Sequence, residues 1–223
     1  MAVRRVPRSR RRLRRYTDRR FAPYVSALGQ LALAWNDLQE SLAELFMTLM
    51  MNGPPKAGDF VDYRPLWIWH SIQSDRSQRK MLKEVIEHSK IDWGRPDLKR
   101  DADWLISKAI ALEDRRNDAI HSPLFLPFES ALGPPRVLPS LRLLNPRARK
   151  LLKRRDLLSE FGHCRDVALI LSDYAQEMYA ALINPQRIWP DKPSLPNPTQ
   201  KKGRQGRRSA PNPAFPQPQS SQT

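Results

Sequence analysis

Apolar residues near the start of the chain recur in steps of three and four: Leu28, Leu31, Trp35, Leu38, Leu42, Leu45 and Leu49. That spacing puts them on one helix face and predicts a helix of about seven turns, ending before Gly53-Pro54-Pro55. A second helix is expected after Pro65, with Ile68, Ile72, Met81, Leu82, Val85 and Ile86 at helical spacing and a polar middle from Ser74 to Lys80 in which it can be irregular. A third opens after Gly94, where Pro96 suits a first turn, and its stripe runs Leu98, Ala102, Leu105, Ala109, Leu112. The fourth carries Leu157, Phe161, Cys164, Ala168, Leu171, Ala175, Met178 and Leu182; Asp156 is a candidate cap and Asn184-Pro185 the stop. Each helix has one strong apolar face, and the simplest mutual burial of four such faces is an all-α, antiparallel four-helix bundle. Between the third and fourth helices, Ser122 to Arg155 carries two short apolar runs around Gly133-Pro134-Pro135. A small hairpin or extended loop is expected there, with Pro127 and Pro139 confining any strand to an edge.

Charge divides the chain differently. Of the net +16, residues 1–20 hold +9 and residues 191–223 hold +5, which leaves +2 for the body from 21 to 190. The first arm repels itself and the second is rich in proline and poor in apolar residues, so both are expected to be disordered. Clustered arginines such as Arg10, Arg11, Arg12, Arg14 and Arg15 are candidates for contact with RNA phosphates, in a salt-sensitive and unselective way. The only cysteine, Cys164, excludes an internal disulfide, and no apolar run is long enough to cross a bilayer. No apolar stretch follows the leading arginines as a secretory signal requires, so a cytoplasmic protein without a membrane partner is expected.

Several chemistries drop out. There is no Gly-rich phosphate loop and no serine elbow, so no cofactor is expected. Among His70, His88, His121 and His163, only His163 lies near another metal-type ligand, Cys164, and adjacent helical side chains diverge by roughly 100°. No metal site is expected. Cys164 falls on the core stripe of the fourth helix and reads as a buried thiol. Trp67 and Trp69 alternate across faces, which fits packing and partner contact. Glu113 and Asp114 are neighbours that do not converge on one atom; a solvated face or a salt bridge to the arginines after them is expected.

One segment stands out, "EDRRNDAIHSP" at residues 113–123. The position after Leu112 on the apolar stripe is Arg116, and Asn117 shares a face with His121, where its amide can fix the imidazole tautomer. Ser122-Pro123 ends the helix at once. An arginine and a histidine so placed suit metal-free phosphodiester cleavage: the guanidinium stabilises charge building on phosphorus, the imidazole transfers protons, and the RNA 2′-hydroxyl is a built-in nucleophile. One histidine per chain points to a two-fold dimer that pools two. The alternative is helix-end chemistry alone, since cations in a last turn are favoured by the helix dipole.

Arg116, the polar Asn117 and His121, set at the end of the third of four helices, resemble the HEPN superfamily pattern of an arginine, a polar residue and a histidine five positions after the arginine. The resemblance spans about residues 21–185 and implies a helical bundle. Many HEPN proteins are metal-independent, homodimeric endoribonucleases, several of them toxins or phage-defence effectors with an antitoxin protein as partner. By that resemblance Arg116 and His121 would be catalytic, and Asn117 would orient them. Other members are inactive, so the alternative function is a non-catalytic helical RNA-binding or protein-interaction module. The two arms and the long insertion depart from a minimal toxin of this kind.

Overall fold

A computed structural model describes residues 19, 21–51, 53, 62–89, 92–121, 124–125, 138–139 and 156–198. Arg10, Arg11, Arg12, Arg14 and Arg15, most of the insertion, and the tail beyond residue 198 lie outside the described residues. The described body is helical: α1 (Ala22–Leu49), α2 (Arg64–Ser71), α3 (Asp75–His88), α4 (Leu98–Ile120) and α5 (Leu157–Ile183). Two residues of the insertion, Leu124–Phe125 (β1), pair antiparallel with Leu138–Pro139 (β2), Leu124 opposite Pro139. A two-stranded ladder has only edges, which is where a proline is tolerated.

The core follows the predicted stripes. Leu31, Leu38, Leu42 and Leu45 of α1 meet Cys164, Leu171, Ala175 and Met178 of α5 and Leu105 and Ala109 of α4 in one buried cluster. The longest interface runs between α1 and α5, with α4 against α5, α3 against α4, and α2 and α3 against α1. Between α1 and α5 the hydroxyls of Ser41 and Ser172 hydrogen-bond at 2.8 Å, so these two buried polar groups satisfy each other.

The single second helix expected from the sequence is two helices. Ile72 and Ser74 are extended, and the Ser74 hydroxyl accepts from the Ser77 amide to cap α3. Gln78 completes the break by donating through Nε2 to the carbonyls of Trp69 (2.9 Å) and Ile72 (3.1 Å) at the end of α2. The short α2 is also turned from its expected face: Trp69 is buried, whereas Trp67 and Ile68 are 71% and 49% exposed. The third helix begins at Leu98, after a turn in which Gly94 takes a left-handed φ of 64°.

Residues 191–198, expected to begin the disordered tail, instead lie on the helical body. Trp189 Nε1 donates to Asp101 Oδ2 at 2.9 Å, Lys192 Nζ sits 2.9 Å from Asp101 Oδ1, and Leu195 packs against the core. Arg95 anchors the end of α5 and the turn that leads into this segment, donating to the carbonyls of Ala181, Asn184, Pro185 and Arg187. No helix among the described residues is long and apolar enough to cross a membrane.

Candidate functional site

The site is built around Trp35, which the apolar stripe of α1 carries into the interior. Its indole Nε1 donates to Asp75 Oδ2 at 2.8 Å, tying α1 to the first turn of α3. Two guanidiniums approach the same ring: Arg116 from α4 at 4.9 Å and Arg79 from α3 at 5.5 Å from the centroid.

Those two cations are balanced differently. Arg79 is fully buried, and its NH2 meets Glu113 Oε2 at 2.5 Å. Burial pulls its pKa below the ordinary arginine range, and the nearby Glu113 and Asp75 carboxylates act in the opposite sense. Arg76 reaches Glu113 at 3.5 Å and Asp114 at 3.0 Å. Glu113 and Asp114 thus pair with arginines of α3. Arg115 turns the other way, to buried Glu160 of α5, with NH2 to Oε2 at 2.9 Å.

Arg116 is left without a carboxylate partner among the described residues. Its NH1 donates to Asn117 Oδ1 at 3.0 Å, and its Nε is buried with no hydrogen bond. Arg116 lines an open cleft of about 470 Å³ together with Gln39 and Glu40 of α1, His70 of α2, and Asp75 and Gln78 of α3. That volume lies in the range of ligand sites. Both amide atoms of Gln39 and the Oε1 of Gln78 are buried there without partners.

Arg116 and Asn117 are therefore brought together, with the asparagine carbonyl orienting the guanidinium and not the imidazole. His121 is the exposed C-cap of α4, its backbone N–H donating to Asn117 O at 3.0 Å. Five helical positions turn it roughly 140° from Arg116, and it does not line the cleft. Cys164 is buried, as its stripe position implied, and burial beside Glu160 pushes its thiol up to about 12. Such a thiol is inert. The His163 imidazole is held below 6.5 by burial and by Arg115. Among the described residues no group of three or more His, Cys, Asp or Glu could share a metal ion.

Trp35, Arg79, Gln39, Gln78 and His70 were not singled out by sequence reasoning as site residues. The available signal was the polar run from Ser74 to Lys80, a stretch too polar for a helix facing only a core. Comparison of the chain with protein-family models, with curated proteins and with solved structures finds no match.

Proposed function

We propose that this protein is a metal-independent endoribonuclease of HEPN type, acting as a homodimer on RNA. Its body would be an antiparallel four-helix bundle in which α2 and α3 together take the second helix's place. The observation that carries the proposal is Arg116: a guanidinium shielded on a tryptophan face, oriented by Asn117, open to a polar cleft and without a carboxylate of its own among the described residues. A cation so placed is ready for an anion from outside, and a phosphodiester in its transition state is the anion that gains most from it. His121 supplies a proton-transfer group, which a two-fold partner would bring toward the cleft. The arginine-rich arm, including Arg10, Arg11, Arg12, Arg14 and Arg15, raises encounter with RNA through phosphate contacts. A toxin or phage-defence effector with an antitoxin partner, working in the cytoplasm, fits this chemistry.

The competing function is a non-catalytic helical RNA-binding or protein-interaction module, favoured by the position of His121 outside the cleft of its own chain. Cleavage of a mixed-sequence single-stranded RNA in excess EDTA separates them. The wild type is expected to leave cyclic-phosphate ends, with Arg116→Ala slowed about 100- to 1,000-fold and His121→Ala about 100- to 10,000-fold. Folded wild-type protein that binds RNA and leaves it whole would favour the module.

A further inference from the structure

Cleavage of RNA by its own 2′-hydroxyl requires two proton transfers at opposite ends of an in-line displacement. One removes the O2′ proton and the other supplies the departing O5′. His121 can serve only one end at a time, and a second group is needed at the other.

Of the described histidines, only His70 lines the cleft that holds Arg116. It lies in the last turn of α2, half exposed, with Nε2 3.7 Å from Glu40 Oε2. The charged groups that face it round the cleft are Glu40 from α1, Asp75 from α3 and Arg116 from α4. Asp75 is already engaged by the Trp35 indole, which leaves Glu40 as the carboxylate free to orient the imidazole. The backbone that carries the ring is held, because Gln78 binds the carbonyls on either side of His70, those of Trp69 and Ile72. A catalytic imidazole needs this combination of access, orientation and a rigid support.

We propose that His70 is the second proton-transfer group of the site, accepting the proton from the 2′-hydroxyl of an RNA strand whose phosphate is held by Arg116. The inference rests on the ribonuclease function proposed above. In the step, the O2′ proton passes to the neutral imidazole of His70 as O2′ bonds to phosphorus. The P–O5′ bond breaks, and O5′ takes a proton from the His121 imidazolium of a second copy. The products are a 2′,3′-cyclic phosphate and a 5′-hydroxyl end. His70 is left charged and His121 neutral, and exchange with water resets both.

The experiment compares wild type, His70→Gln, His121→Gln and an equimolar, subunit-exchanged mixture of the two variants on single-stranded RNA in EDTA, across pH. Each variant alone should lose at least about 100-fold in rate. The His70→Gln residual rate should lose the acid limb of the pH profile, because that limb reports deprotonation of the base. In the mixture about half the dimers are mixed and each holds one intact site, so about one quarter of wild-type activity should return. A His70→Gln protein that cleaves at the wild-type rate with both pH limbs overturns the proposal. The wild-type protein is also titrated with a 2′-O-methyl RNA that cannot react, while the His70 ring is followed by NMR. Movement of its resonances is the expected result. An unmoved ring with RNA bound overturns the proposal even if no cleavage is seen, whereas a moved ring without cleavage counts against the enzyme function and keeps His70 at the RNA.

Discussion

Arg79 and Arg116 stand near one tryptophan ring, and what balances each charge sets its role. Arg79 is buried against Glu113, so removing this carboxylate leaves an interior charge without its direct ion-pair partner, with only the more weakly coupled Asp75 to offset it. Glu113→Ala is therefore expected to destabilise the fold by about 3–5 kcal/mol in urea denaturation. Arg116 has no carboxylate to abandon among the described residues, and Arg116→Ala should cost only about 0.5–2 kcal/mol of cation–π contact while removing the proposed RNA cleavage. Equal losses from the two substitutions would show that Arg116 is a structural cation like its neighbour. The placement of Arg116 was legible in the sequence, since it continues the stripe Leu98, Ala102, Leu105, Ala109, Leu112. The partners of Glu113 were not. An ion pair between helices depends on their relative rotation, and no spacing within "EDRR" encodes how α3 is turned.

Helix ends, too, are set by particular side chains, and α5 shows both kinds. Its first turn is capped by Asp156, which accepts from the Ser159 amide at 3.1 Å, as the sequence led one to expect. Its last turn is held by Arg95, from the loop before α4, whose guanidinium collects carbonyls that have no helical donor. Arg95→Leu should cost about 1.5–3 kcal/mol, the range for hydrogen bonds to a charged group, and speed amide exchange selectively near residues 180–187. Uniform acceleration along α5 would mean that the clamp is not local. A cap acting three residues away is written in the local sequence, whereas a clamp acting across 86 residues is not. The division of the expected second helix has the same origin. Ser74 is a recognisable cap, but the Gln78 bonds that fix the break exist only once α2 has folded back on α3.

For the whole molecule, the boundary of the folded body is an electrostatic matter. Composition placed the tail's start at Asp191, because proline and charge predominate from there on. Composition does not register one buried carboxylate, Asp101, which draws Trp189 and Lys192 onto α4. Burial pushes the Asp101 carboxyl up, but hydrogen bonds from Lys192, Arg100 and Trp189 outweigh it and hold the group below 3.8. A carboxyl whose folded pKa is depressed contributes stability above its unfolded value, and that contribution is lost as pH falls through the folded one. Asp101→Asn should thus lower stability by about 1.5–3 kcal/mol near neutrality, because charge-assisted bonds become neutral ones. The gap to wild type should begin to close as pH drops below the ordinary 3.8 and be gone once pH falls through the lower folded value, where the native group loses its charge too. Thermal unfolding at a series of pH values, read with Trp189 fluorescence, follows stability and docking of the segment together. A gap that stays constant into acid would assign the loss to packing around the substituted amide, not to the carboxylate charge. A gap that closes while Trp189 becomes solvated would show that this charge sets where the folded body ends.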